Sequence, residues 1–163
     1  MDYASSILFM GTGATLATDL WAIARRQLLG VPAPDWGLVG RWFGHMARGR
    51  FRHERIAAAE PVRGECAIGW VAHYLIGIAY AGVLLAICGL AWVRQPTLAP
   101  ALAVGIATVA APFLLMQPGM GAGIAASRTP RPNSARLQSV VMHTVFGLGL
   151  YAAGLVLKLL SGE

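Results

Sequence analysis

The sequence predicts an all-α, polytopic membrane protein, with four transmembrane helices in one bundle and an interfacial amphipathic helix in the first cytoplasmic loop. Three observations indicate this fold class. Of the 163 residues, 56% are hydrophobic and only 12% are charged, whereas about 25% are charged in soluble domains. The mean hydropathy is +0.60. Basic residues are concentrated in two of the connections between long apolar segments, which is typical of a membrane protein with a fixed orientation.

The four apolar segments cover about residues 4–26, 67–93, 98–126 and 137–159. Each is long enough for a helix to cross a bilayer, which takes roughly 20 residues. The N-terminus lacks the basic region of a cleavable secretory signal, and Asp19 interrupts its apolar stretch, so we expect the first segment to remain in the protein. Residues 1–163 are therefore predicted to form a single integral-membrane domain.

The two basic connections are predicted to be cytoplasmic. The first is the basic loop of residues 27–66, and the second contains Arg128, Arg131 and Arg136. Because Arg-rich loops remain on the cytoplasmic side, both termini are predicted to face the periplasm. The basic residues that give the net charge of +6 lie next to the membrane spans. We therefore expect the chain to bind anionic lipids of the cytoplasmic face. We do not expect it to bind nucleic acid.

Residues 35–47 of the basic loop have the periodicity of a helix. Apolar residues recur with helical spacing at Trp36, Val39, Phe43 and Met46. The polar residues fall largely on the opposite side, so we expect this helix to lie in the membrane interface. Two histidines of this region, His45 and His53, are also predicted to be interfacial.

The third apolar segment is predicted to be kinked or partly unwound near its inner end. Proline and glycine are frequent between Pro112 and Gly123. Irregular backbone at membrane depth is tolerated where protein or a wet cavity covers it. A proline kink with glycine contacts to neighbouring helices explains this composition, and a broken-helix binding element is the alternative.

Three ionisable side chains, Asp19, His73 and His143, interrupt three different apolar segments. At 1.5 Å per residue they lie about 9–12 Å from the nearest charged residue in sequence, hence in the inner half of the membrane. An ionisable group at this depth costs free energy, so we expect such a residue to have a function. We predict that the three converge in one buried polar site near the cytoplasmic leaflet, with Gln117 and Tyr80 as supporting groups.

Helical spacing also predicts which faces point inward. A glycine follows each of the two histidines by four residues, at Gly77 and Gly147, and small residues allow close helix approach. On the first segment the inward face is predicted to contain Ser5, Thr12, Thr15, Asp19, Ala22 and Arg26.

Two imidazoles and a carboxylate can bind a first-row metal or accept a proton. We therefore predict that the site binds or passes a proton, a metal ion or a small polar solute. In the metal case Asp19, His73 and His143 are the candidate ligands of a transition-metal ion. The sequence has no His-Glu-x-x-His motif and no haem motif, so it identifies no cofactor and disfavours haem.

Two other classes of function stay open. An enzyme acting on a lipid or isoprenoid head group would activate water or a hydroxyl with the histidines and would hold a phosphate with Arg41, Arg50 and Arg52. A non-catalytic subunit would instead pack its apolar face on a larger membrane complex. The sequence assigns no catalytic residue and leaves a homo-oligomer open.

Four segments carry a family resemblance: GRWFGHM at 40–46, PVRGE at 61–65, MQPGMG at 116–121 and GIAASRTP at 123–130. They resemble the bacterial inner-membrane proteins grouped as domain of unknown function 2938. The likeness covers nearly the whole chain, including the stretch that ends at Asp19 and residues 143–149. It implies a multi-pass protein of the bacterial inner membrane, and it brings no reaction or ligand with it.

Overall fold

The computed structural model describes residues 2–162, which form helices and contain no β-strand. Four helices are long and apolar enough to cross a membrane: Tyr3–Leu29, Glu65–Cys88, Leu98–Gly119 and Pro132–Leu160. The predicted all-α class with four membrane-length helices is therefore confirmed.

The helices follow one another along the chain with two short 3₁₀ turns and one π-helical segment between them. The α-helices are α1 (Tyr3–Leu29), α2 (Trp36–Met46), α3 (Glu65–Cys88), α4 (Ala91–Arg94), α5 (Leu98–Ala107), α6 (Gln117–Gly119) and α7 (Pro132–Leu160). The π-helical segment is Pro112–Met116, and the 3₁₀ turns are Ile56–Ala58 and Ile124–Ala126.

Local sequence signals fix the ends of the first two helices. The Asp2 carboxylate accepts the Ser5 N–H at 2.8 Å at the start of α1, and Asp35 caps α2 in the same way through Leu38. Gly30 ends α1 in the left-handed conformation, with φ 65°, which glycine adopts without steric cost. The helix predicted at residues 35–47 is thus present, while its position in a membrane interface stays a prediction.

Helix α3 ends at Cys88, earlier than the residue 93 that apolar composition predicted. Gly89 has φ 71°, and its N–H donates to the Leu85 carbonyl at 2.8 Å. This left-handed residue stops the helix even though the sequence stays apolar. Trp92 and Val93 are then buried in the separate helix α4.

The predicted irregularity in the third span is confirmed. Regular α5 ends at Ala107, and the π-helical segment begins at Pro112. Proline lacks an N–H and clashes with the preceding turn, so it interrupts the α-helical ladder. The chain after α6 is also irregular, because Ala125 and Ala126 both have positive φ angles.

The chain divides into two compact units. The span unit comprises residues 2–33, 74–108 and 141–162, and the loop unit comprises residues 34–73 and 109–140.

The core of the span unit is formed by apolar residues of α1, α3, α4, α5 and α7. Glycine allows these helices to approach closely. A methyl group at Gly11 would lie 2.8 Å from the Ile78 nitrogen, and one at Gly105 would lie 2.7 Å from the Gly147 nitrogen. Backbone contact of this kind replaces side-chain interlocking where small residues meet.

The inward face predicted for α1 is partly wrong. Thr12 and Arg26 are exposed, whereas Thr18 and Arg25 are buried. The buried residues of α1 are Ser6, Met10, Gly11, Ala14, Thr15, Thr18, Ala22 and Arg25. The prediction followed the polar residues around the helix, but the small residues and Met10 that contact neighbouring helices determine the buried face.

In the loop unit, α2 packs against the first turns of α3. A methyl group at Gly40 would overlap the Glu65 carbonyl oxygen, and one at Gly69 would overlap the Trp36 carbonyl oxygen. The chain between these helices is held against residues 119–120, because the His53 and Ile56 N–H groups donate to their carbonyls at 2.9 and 3.0 Å. The extended chain at residues 53–56 and the glycine-rich turn at residues 119–120 are thus joined by backbone hydrogen bonds.

Candidate functional site

The predicted site residues are divided between the units. Asp19, Tyr80 and His143 belong to the span unit, whereas His73 and Gln117 belong to the loop unit. The convergence of all five in a single buried site stays a prediction.

Asp19 has a partner that sequence analysis did not identify. The Tyr74 hydroxyl donates to Asp19 Oδ2 at 2.9 Å, which links α1 to α3 inside the span unit. An ionised carboxylate only accepts hydrogen bonds, so a phenol is a suitable partner for it in apolar surroundings. The sequence shows a tyrosine next to His73. Many registers of α1 against α3 are compatible with it, so the sequence does not identify it as the partner of Asp19.

The contacts of His143 indicate its tautomer. Nδ1 lies 2.9 Å from Thr108 Oγ1 and 3.3 Å from the Gly105 carbonyl oxygen. The Thr108 hydroxyl itself donates to Gly105 at 2.6 Å, so its one hydrogen is used there. Nδ1 must then carry the hydrogen that it shares with these two acceptors, which leaves the Nε2 lone pair available to accept a proton.

The remaining predicted residues make different kinds of contact. The Tyr80 and His143 rings lie 6.4 Å apart between centroids. The His73 ring stacks on Trp36, with centroids 3.9 Å apart. Gln117 Nε2 donates to Ser139 Oγ at 3.3 Å, while the buried Gln117 Oε1 has no hydrogen-bond partner.

The structure gives no support to the metal-ion hypothesis. Among residues 2–162, no group of three or more His, Cys, Asp or Glu side chains is arranged to hold a metal ion. The predicted ligands Asp19, His73 and His143 are divided between the two units, and their binding of a metal ion stays a prediction.

Arg41, predicted to contact lipid head groups, has a structural role instead. Its Nε and Nη2 donate to the two Glu65 carboxylate oxygens at 2.9 and 2.8 Å. Its Nη1 contacts the carbonyl oxygens of Ile56, Ala57 and Ala59. The bond to Glu65 raises the pKa of Arg41. The guanidinium thereby joins α2, the 56–59 turn and α3, and it is not available to hold a phosphate.

His45 and His53 are both buried within the protein, with exposed fractions of 5% and 7%, and their interfacial position stays a prediction. His45 Nε2 lies 2.9 Å from the Glu60 carbonyl oxygen, which can only accept, so Nε2 carries a hydrogen. The two imidazole rings meet edge to face, with centroids 4.9 Å apart. The glycine-rich turn at residues 119–121 packs against His53, which accounts for its burial.

Both ring nitrogens of His53 are buried and have no hydrogen-bond partner. Burial lowers the pKa of His53, the Gly119 backbone carbonyl raises it, and nearby Arg50 and His45 lower it further. The net lowering favours a neutral imidazole, whose two ring nitrogens are enclosed. Such a group in a native structure needs an explanation, of which ligand binding is one.

His53 also lines an open pocket of about 510 Å³ in the loop unit. The pocket is lined by Arg52, His53, Glu54, Pro118, Gly123, Ile124, Ser127 and Arg128. Of the predicted head-group residues, Arg52 is thus placed at a cavity, and Arg50 is exposed outside its lining. Sequence analysis missed His53 and Arg128 as site residues, because only the fold brings residues 52–54 next to residues 118–128.

Comparison with known proteins assigns this chain to a family. No curated protein and no solved structure matches it. The family model described as Protein of unknown function (DUF2938) matches residues 8–157, most of the chain. The chain therefore belongs to this family, as the sequence resemblance predicted.

Proposed function

We propose that this chain is a membrane protein that binds or passes a proton or a small polar solute through polar groups of its membrane-length helices. The observation that carries the proposal is the hydrogen bond from the Tyr74 hydroxyl to Asp19. It gives the carboxylate of one long apolar helix a specific partner on another long apolar helix. Ionisable groups at such positions are rare and commonly mark proton or ion pathways.

His143 supports the proton version of this proposal. Its Nδ1 is occupied by Thr108 and Gly105, so the ring has a defined orientation and a free lone pair on Nε2. A carboxylate and an imidazole in one unit give two groups that take up and release protons. Asp19 would serve as the proton acceptor with Tyr74 as its positioning partner, and His143 would serve as a second acceptor.

The test is proton flux into liposomes that contain the purified full chain. A pH-sensitive dye inside the liposomes reports the flux after an external pH step. Asp19→Asn keeps the size of the side chain and removes its ability to ionise, so we expect a decrease of about tenfold or more. Tyr74→Phe removes the hydroxyl donor alone and should give a smaller decrease.

The matched control is Glu60→Gln, which removes one carboxylate at an exposed position outside the four long helices. It should leave the flux unchanged. Equal flux through wild type and the Asp19→Asn variant, with both correctly folded, would contradict the proton pathway.

A further inference from the structure

We propose that the loop unit contains a second, separate binding site, for the phosphate group of a lipid head group or of a soluble phosphate compound, formed by Arg52 and Arg128. The site differs in place and chemistry from the polar groups of the span unit. All residues that line its pocket belong to the loop unit.

The pocket has the dimensions of a small-ligand site. Its volume of about 510 Å³ lies within the range of about 300–1,000 Å³ that is common for such sites. One wall comes from the extended chain at residues 52–54, and the other comes from residues 118–128. The two walls are joined by the hydrogen bond from the His53 N–H to the Gly119 carbonyl at 2.9 Å, so the cavity is built by the fold.

His53 lies at the edge of this pocket. It belongs to the lining, it is 7% exposed, and both of its ring nitrogens are enclosed. A phosphate group held by Arg52 and Arg128 would bring negative charge close to this ring. The ring can therefore report on binding.

The charges around the pocket favour an anion. Arg52 and Arg128 are exposed at the pocket, and neither forms a salt bridge with another residue in the described range 2–162. Their two guanidinium groups outnumber the one carboxylate, that of Glu54. A guanidinium matches two phosphate oxygens at once, which makes arginine a preferred phosphate ligand.

The number of donors favours phosphate over carboxylate. Arg52, Ser127 and Arg128 line the pocket, and their side chains offer two guanidinium groups and one hydroxyl. A carboxylate offers two oxygens, whereas a phosphate group presents three or four to surrounding donors. The Glu54 carboxylate can accept a hydrogen bond from a hydroxyl or ammonium of the same ligand.

The backbone of the second wall is held in a strained conformation. Ala125 and Ala126 have φ angles of 47° and 58°, which side chains other than glycine rarely adopt. Arg136 Nε donates to the Ala125 carbonyl at 2.8 Å, and Thr129 Oγ1 donates to the Ala126 carbonyl at 2.8 Å. Strain of this kind persists where the surroundings fix the backbone, and it is frequent at ligand sites.

Gly123 keeps the wall open at its other end. A methyl group at this position would overlap Ser127 Oγ and would lie 2.9 Å from Arg128 Cγ. The absence of a side chain thus leaves room for the hydroxyl and the guanidinium stem beside each other. Ser127 and Arg128 both belong to the pocket lining.

The experiment is a binding titration of the full chain in dodecyl maltoside, a detergent without phosphate. The readout is the ring ¹⁵N NMR signal of His53 in histidine-labelled protein, assigned with the His53→Gln variant. Three probes are used: inorganic phosphate, short-chain phosphatidic acid, and diacylglycerol of the same chain length. We expect a saturable shift of the His53 signal with at least one phosphate-bearing probe and none with diacylglycerol.

The two phosphate-bearing probes separate the sources of the ligand. A shift with phosphatidic acid that inorganic phosphate does not reproduce supports a lipid head group. A saturable shift with inorganic phosphate supports a soluble phosphate. No shift with either probe, or an equal shift with diacylglycerol, would overturn the proposal.

Variants test the site residues by a matched comparison. Arg52→Ala or Arg128→Ala should weaken binding by about ten- to hundredfold, because each removes a charge-assisted contact. Arg131→Ala removes the same charge from an exposed position outside the pocket lining and should change binding less than twofold. Equal weakening by Arg131→Ala would show general surface attraction and would overturn the assigned site.

The outcome is independent of the proton pathway. Asp19→Asn should leave phosphate binding unchanged, because Asp19 belongs to the span unit. Failure of the proton-flux experiment therefore does not decide the phosphate site, and failure of the phosphate titration does not decide the proton pathway.

Discussion

The span unit and the loop unit each contain an enclosed imidazole, and they treat it differently. His143 in the span unit shares its Nδ1 hydrogen with Thr108 and Gly105. His53 in the loop unit is more fully buried, yet neither of its ring nitrogens has a partner. The fold itself accounts for the first histidine. The second lies beside the proposed phosphate pocket, with both ring nitrogens enclosed.

The units also differ in their backbone. Span-unit helices meet through glycines in ordinary helical conformation, such as Gly11 and Gly105. The loop unit contains a π-helical segment and two consecutive alanines with positive φ. Irregular helical turns and strained residues are frequent at functional sites. The apolar spans thus provide stability, whereas the loop unit contains the features typical of recognition.

The largest expected effect tests whether both units are equally closely packed. Gly11→Val in the span unit and Gly40→Val in the loop unit should each prevent folding or lower the free energy of unfolding by about 3 kcal/mol. In both cases a new side chain would overlap backbone atoms of a neighbouring helix. Folded yield and thermal unfolding in detergent measure the effect.

The control for this pair is Gly82→Ala. A methyl group at Gly82 has no neighbour closer than Ile7 Cδ1, at 3.7 Å, so the variant should fold normally. If Gly40→Val were tolerated while Gly11→Val was not, the loop unit would be loosely packed and its pocket would have no fixed shape.

A middle-sized effect tests the contrast between the two histidines directly. His143→Phe removes a partnered imidazole and should lower the free energy of unfolding by about 1–2 kcal/mol. His53→Phe replaces an unpartnered polar ring with an apolar one, so it should be neutral or stabilising when no phosphate is present. Thermal unfolding of both variants in phosphate-free buffer provides the comparison. A larger loss of unfolding free energy for His53→Phe than for His143→Phe would contradict this contrast.

The smallest expected effect concerns the strained backbone of the loop unit. Ala125→Gly relieves a left-handed alanine, which is strained by about 1–2 kcal/mol, so it should raise the free energy of unfolding by about 1 kcal/mol or less. Ala135→Gly makes the same change inside α7 and should lower it by about 1 kcal/mol. Equal losses at both positions would mean that Ala125 is not strained.

Much of the fold was predictable because it depends on neighbours in sequence. Apolar length identified the four spans, Asp35 marked the start of α2, and Pro112 marked the irregular third span. The boundary at Cys88 was missed, because one glycine with φ 71° ends the helix within an apolar stretch. Composition averages over many residues and does not resolve a single left-handed one.

The candidate sites were predictable only in part. Asp19 and His143 were identified because an ionisable residue stands out in an apolar segment. Their partners Tyr74 and Thr108 were not, because each lies on another helix and helix register decides the pairing. Arg41 was assigned to lipid on its charge alone, whereas its ion pair with Glu65 joins residues 24 positions apart.

The sequence by itself determined that this chain forms four apolar helices with polar residues inside them, since hydropathy and helix signals act over a few turns of chain. Only the tertiary structure decided which polar groups receive a partner. Hydrogen bonds need an approach of about 3 Å, and such distances between remote residues arise only when helices pack in one register. That is why Asp19 and His143 are satisfied within the span unit, and why the imidazole of His53 is enclosed without a partner.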